Sequence, residues 1–174
     1  VTLATLNWAP YISDGPCTKG WIFDFTIALL ASKGYQVNIL FYPWARSAML
    51  AREGLVDIKF PAYITDIDIP STIITSEEDH DLLSLSNSFP GGSLSLVTHS
   101  NSSITSPKAN NKVDLPLLRN KIVGVVRGYT HTHQIDEMIE NQYFSVVEAV
   151  DELQLIKLLA AKRVDYIIGD RVVF

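Results

Sequence analysis

What this 174-residue sequence lacks narrows its function first. Cys17 is its only cysteine, so the chain closes no internal disulfide and builds no multi-cysteine metal site. It has no run of Lys or Arg and a formal net charge of −5, which argues against nucleic acid as a partner. No apolar stretch reaches membrane-spanning length. No G-x-S-x-G motif occurs, and Gly91-Gly92 and the single Gly128 do not make a phosphate-binding loop. Against these absences stand 47% hydrophobic and 19% charged residues, the balance of a globular chain with a substantial core. The length suffices for one domain or two small lobes.

The ends carry expectations of their own. The chain opens on a strand-like run, Val1–Leu6, with no signal peptide, and reads as a mature or trimmed form. At the other end Asp170–Phe174 stops in an apolar run with no terminator, and missing sequence is expected there.

The stretch Lys121–His133, KIVGVVRGYTHTH, is the most informative. Ile122, Val123, Val125 and Val126 form a β-branched run that fits a buried strand. Arg127-Gly128 breaks it. Thr130 is placed to cap a helix over Gln134–Asn141, marked by Ile135, Met138 and Ile139 at helical spacing. Strand, glycine turn and helix start together present free backbone N–H groups and a positive dipole end, suited to a small anion or polar ligand group. The plainer alternative is an ordinary βα turn.

Taken in order, Val1–Leu6 alternates as a strand, and Trp8-Ala-Pro-Tyr11 puts two aromatics on its exit loop. Trp21–Ser32 has helical spacing and Gly34 closes it; Tyr35–Tyr42 reads as a second strand. Pro43 starts a second helix with Trp44 in its first turn and Gly54 at its end, before a strand at Val56–Phe60. This β-α-β-α-β order predicts a mostly parallel sheet covered by helices, with ligands beyond the carboxyl ends of the strands. Trp8, Trp44 and Pro61–Thr65 follow the three strands and are expected on one rim.

Ser71–Asp81 is acidic and reads as exposed surface without metal-ligand spacing. Strands are predicted at Leu83–Ser88 and Ser93–Thr98 around a Phe89–Gly92 turn, and Ser100–Asn111 reads as a mobile loop or lobe boundary. Beyond a helical turn at Leu115–Leu118 comes a second βαβαβ half. Its further elements are strands at Tyr143–Val147 and Val164–Ile168 around a helix at about Val150–Lys162. Two halves of similar plan predict two lobes around a cleft.

Five motifs then fall in order: Trp8-Ala-Pro-Tyr11, Gly20 with Asp24, Pro43-Trp44 leading to Gly54 and Asp57, Val125-Val-Arg-Gly128, and Arg163-Val-Asp165 with Asp170. In this order and spacing, over nearly the whole chain, they resemble the family 3 solute-binding proteins, the extracytoplasmic amino-acid receptors of ABC importers. The resemblance implies an α/β, periplasmic binding protein-like (type II) fold: two α/β lobes joined by hinge strands. Residues 1–95 would form lobe 1, 96–170 lobe 2, and 171–174 the start of a return to lobe 1, whose C-terminal part would be missing.

It also implies binding roles. Trp8 and Trp44 stand where the family places aromatics that sandwich the ligand side chain, with Tyr11 beside them. Flat faces of this kind take an apolar group, or a cation at about 0.5–2 kcal/mol. Pro61, Ala62, Tyr63 and Ile64 match the segment that hydrogen-bonds the ligand, Arg127 and Thr130 match second-lobe contacts, and Asp170 matches the carboxylate that receives the ligand ammonium. The chain departs from the pattern at one point. The family pairs the ligand carboxylate with an Arg three residues after a Thr; here that Thr is Thr65, and Asp68 holds the position, or Ile69 if the loop aligns without a gap. No Arg lies between Arg52 and Arg119, so Arg46 or Arg127 would have to replace it, or the ligand has no carboxylate.

The expectation is therefore a non-enzymatic, periplasmic or extracytoplasmic protein that binds a small polar solute, amino-acid-like or an amine. Its partner would be an ABC permease or, if the module senses rather than transports, a downstream signalling domain. A ligand-free interaction role is the third reading. A homodimer is expected through the incomplete lobe 1. No cofactor or metal is implied: His131-Thr-His133 sits at a helix start with no supporting acid in local reach.

Overall fold

The computed structural model describes residues 1–63, 84, 86–88, 91–100 and 115–174. Its backbone divides into two units, Val1–Gly91 and Gly92–Phe174. The division falls at 91/92, where the sequence reading put it at 95/96.

In the first unit β1 (Thr2–Thr5) lies between β2 (Asn38–Phe41) and β3 (Ile58–Lys59), both parallel to it. Parallel neighbours need crossovers, and α1 (Trp21–Ser32) and α2 (Trp44–Arg52) supply them. The first helix occupies the span its periodicity predicts. The second starts after Pro43, whose φ of −53° is already close to helical, and stops before Gly54. Ala4, Ala51 and Val56 form the core between sheet and α2, with Tyr42 and Leu50 against them. Two buried hydroxyls tie these layers together. Ser47 Oγ donates to the Thr5 carbonyl at 3.0 Å, and Thr5 Oγ1 donates to the Phe60 carbonyl at 2.7 Å. Each such bond contributes about 1 kcal/mol, and it satisfies a group that would otherwise be buried without a partner.

The second unit is a four-stranded sheet in the order β4-β7-β5-β6, built from β4 (Leu94–Thr98), β5 (Ile122–Val126), β6 (Ser145–Ala149) and β7 (Tyr166–Asp170). β5 runs parallel to β6 and β7, whereas β4 is antiparallel to β7, with Leu94 opposite Asp170. Here α3 (His133–Glu140) and α4 (Glu152–Ala160) are the crossovers, and Leu115–Leu118 is the expected single turn. Strand period two splits the side chains between two cores. Val123, Val125, Tyr166 and Ile168 join Leu118 and Phe144 on one, with Ile135, Met138 and Ile139 of α3 packed against it. Val126, Ala149 and Ile167 join Leu155 and Leu159 of α4 on the other. A Cβ on Gly124 would stand 2.9 Å from Leu155 Cδ2. A larger residue there would push the Leu155 side chain aside. Burial of Tyr166, and then the charge of Asp165, push its phenol above the usual 10, so the ring stays neutral in its core.

Several sequence expectations change. Ser84 and residues 86–88, inside the strand predicted at Leu83–Ser88, lie in no strand and are exposed. The rest of that stretch, the acidic 71–81 segment and most of Ser100–Asn111 lie outside the described residues. Thr132, not Thr130, caps α3, its Oγ1 accepting the Ile135 N–H at 3.3 Å. Residues 171–174, read as the start of a return, form a turn in which the Val173 and Phe174 N–H groups donate to the Asp170 carbonyl. Phe174 packs on the α4-side core of the second unit.

Candidate functional site

In the first unit the exits of β1, β2 and β3 share the carboxyl end of a parallel sheet, the end where such sheets bind ligands. The exit of β1 folds back on itself at once. Trp8 N–H donates to the Ile12 carbonyl at 2.8 Å, and the Tyr11 and Ile12 N–H groups both donate to the Trp8 carbonyl at 3.0 Å. The Ile22 N–H from α1 holds the Tyr11 carbonyl at 3.1 Å. Gly20 closes this arrangement with a φ of 86°, and a Cβ there would lie 2.2 Å from the Tyr11 carbonyl oxygen. No other residue fits that position.

This loop packs its aromatics together. Trp8 and Tyr11 are each only 7% exposed, with ring centroids 4.6 Å apart. Tyr63, after β3, meets Trp8 edge-on at 5.6 Å, and Trp21 meets Tyr11 edge-on at 6.3 Å. Trp8 Nε1 is buried and has no hydrogen-bond partner among the described residues. Trp44, in the first turn of α2, is equally buried, and Lys59 Nζ sits 5.4 Å from its ring centroid. Pro61 is partly buried and Ala62 exposed. The structure packs Trp8 against Tyr11 and Tyr63. Asp68 and Thr65 lie outside the described residues. Arg46, one of the two replacement cations considered, lies over the Tyr42 ring at 5.2 Å.

In the second unit the turn after β5 is held by alternate residues. Arg127 Nε donates to Glu148 Oε2 on β6 at 2.8 Å, Tyr129 donates its O–H to Glu152 at the start of α4, and His131 binds Asp136 of α3. The last contact is double: the His131 backbone N–H donates to the Asp136 carboxylate at 3.1 Å, and Nδ1 lies 2.9 Å from Oδ1. His131 is buried, and its Nε2 has no partner among the described residues. The sequence reading held that no acid reached this histidine; Asp136 does, one helical turn past the Thr132 cap. Thr130 is exposed between these anchors. Arg127 is exposed, and its Nε is paired with Glu148. Asp170 is 1% exposed, and its Oδ1 accepts the Val172 N–H at 2.6 Å.

Sequence reasoning missed Lys59, Asp136, Glu148 and Glu152. Lys59 had a signal, a lone charge inside the strand run Ile58-Lys-Phe60. The three acids had none, because each is paired across 5 to 23 residues of chain by the fold. Among the described residues no three His, Cys, Asp or Glu side chains gather as a metal site, and no helix is long and apolar enough to cross a membrane.

No protein-family model matches the sequence, and no curated protein matches it significantly. Solved structures do. An ancestral arginine-binding protein bound to glutamine superposes with a TM-score of 0.71 at 20% identity, over 99% of this chain and 70% of the other. An ABC uptake transporter substrate-binding protein from Streptococcus pneumoniae with bound histidine gives 0.71 at 17% identity, over 99% and 66%. The GluR0 ligand-binding core from Nostoc punctiforme in complex with L-glutamate gives 0.64 at 18% identity, over 99% and 70%. These likenesses bear out the expected α/β, periplasmic binding protein-like fold. They give no support to the expected homodimer.

Proposed function

We propose that this chain, with a fold shared by amino-acid-binding proteins, binds a small polar solute and is a binding protein, not a catalyst. The observation that carries the reading is the buried indole N–H of Trp8, without an acceptor inside the Trp8–Tyr11–Tyr63 cluster. A donor left so costs about 1–3 kcal/mol, and native proteins retain few of them. In this reading the ligand supplies the acceptor. The candidate contacts are Trp8, Tyr11, Trp44 and Pro61–Tyr63 within the first unit and, taken separately, Arg127, Thr130 and Asp170 within the second. The setting is extracytoplasmic and the solute is handed to an ABC permease. The likeness to the GluR0 core favours a second reading, the same module as the sensory input of a membrane receptor. A membrane-spanning segment encoded beyond this sequence would decide for the receptor.

The test is thermal shift and calorimetry with arginine, histidine, glutamine and glutamate, together with agmatine and histamine. A binder at 100 times its Kd stabilises by about 2.7 kcal/mol. Trp8→Phe keeps an aromatic ring and removes the N–H, so it should weaken that binder about tenfold, with some loss of melting temperature from the smaller ring, read as a Kd at a temperature where both proteins are fully folded. If none of the six probes binds at millimolar concentration, the solute-binding reading is lost and a ligand-free role takes its place.

A further inference from the structure

We infer that the amino end of the second unit's parallel strands is a docking face for an acidic segment of a partner protein. It does not depend on the solute-binding reading, because this end lies the length of β5, about 16 Å, from the Arg127–His131 turn. The sheet places β5 between β6 and β7, all three parallel, so their starts share one end about 5 Å apart. Main-chain bonds fix that spacing. Asn120 donates its N–H to the Tyr143 carbonyl at 3.4 Å, Ser145 to that of Lys121 at 2.9 Å, and Asp165 to that of Ile122 at 2.7 Å. Arg119, Lys121, Lys162 and Arg163 all stand at this end, and all are exposed. Among the described residues none of the four forms an ion pair. Asp165, the one acid in 119–122, 141–145 and 161–165, accepts the Ile122 N–H at 2.8 Å. Set against Asp165, the four cations leave a local surplus of three positive charges on a chain whose formal net charge is −5.

The backbone at this end keeps side chains where the first unit does without them. Each α-helix closes on a left-handed residue just past its C-cap, whose N–H and the next one return to carbonyls of the last turn. α1 and α2 use Gly34 and Gly54 there, whereas α3 and α4 use Gln142 and Lys162, at φ of 53° and 55°. Asn120, before β5, adds a third at 59°. Left-handed backbone disfavours every residue with a Cβ, so three side chains are held at one end at a cost that glycine avoids in the first unit. The dipole of α4 favours a cation at Lys162 but gives no reason for Gln142. A shared contact surface accounts for both. Leu117 and Ile122, 36% and 40% exposed, lie beside the cations. Apolar contact inside a charged rim is how protein interfaces are built. Anionic lipid surfaces capture clusters of about 4–8 Lys or Arg, and a surplus of three on an otherwise acidic chain falls short of that.

Fluorescence anisotropy of a fluorescein-labelled peptide of glutamates and leucines, titrated with the whole chain, tests this. The wild type should bind it, and raising the salt from about 0.01 M to about 0.15 M should weaken binding about tenfold. Lys121→Glu and Arg163→Glu should each weaken it about fivefold, and Lys33→Glu, the same charge change on the first unit, by less than about twofold. Lys162→Gly removes a cation from backbone that glycine prefers, so it should lose affinity while the melting temperature holds or rises. A loss from Lys33→Glu as large as that from Lys121→Glu would be a nonspecific charge effect and overturns the inference. Binding to vesicles of phosphatidylglycerol and phosphatidylcholine, with none to the peptide, overturns it in favour of a lipid contact. Binding to neither overturns it as well, and each of these results leaves solute binding untouched.

Discussion

The rim of the first unit and the β5 turn of the second are stiffened by different means. Around Trp8 the restraint is backbone and shape: three main-chain hydrogen bonds, a glycine pressed on the Tyr11 carbonyl, and ring against ring. Around Thr130 it is side-chain charge and polarity: Arg127, Tyr129 and His131 each reach an acid on a different element. A shape-held surface is insensitive to salt and intolerant of volume. A charge-held turn tolerates volume and responds to the removal of single carboxylates. The first suits a stacking face, and the second suits a polar turn whose backbone must stay presented.

The sharpest way to break this comparison is Gly20→Ala. Left-handed backbone and a 2.2 Å clash with main chain act together, and the variant should lose at least about 3 kcal/mol in urea unfolding of the first unit. A loss under 1 kcal/mol would mean that the rim yields and is not shape-held. Next in size is Asp136→Asn, which weakens two bonds to a buried histidine and should cost about 1–2 kcal/mol, read by the same unfolding curve of the second unit. The smallest effect belongs to Glu148→Gln. Both partners of that pair are about half exposed (59% and 49%), so the change should stay within about 0.5 kcal/mol and vanish in 1 M salt. A larger, salt-resistant loss would show that the three pairs act as one network.

The same contrast explains what the sequence disclosed. Local devices were legible. Trp21–Ser32, Pro43 before α2, Gly54 after it and the β-branched run of β5 all depend on residues within a turn or two. The packing of Trp8 on Tyr11 and Tyr63 was not, because the spacing places residues after a strand without saying which rings meet. Distant pairings were not. Nothing in Ser93–Thr98 announces that β4 runs antiparallel to β7, sixty-odd residues later, and nothing local assigns Glu148 to Arg127. Thr130 and Thr132 are equally good caps by composition. What separates them is the Asp136 clamp on His131, which sets where the turn ends and the helix begins. Lys59 was passed over because a strand residue is read for its face, and a long side chain can bend around an edge to a ring on the next element.

The pairing of β4 with β7 has a consequence for how the second unit can be handled. Leu94 lies opposite Asp170, and the Arg171 N–H reaches back to the Ser93 carbonyl, so the polypeptide enters and leaves this module through adjacent doorways. Residues 92–174, which retain Phe174 on its core, form a circuit that a short linker could join end to end. Excised, circularised or grafted into another loop, that circuit keeps every strand neighbour it has now.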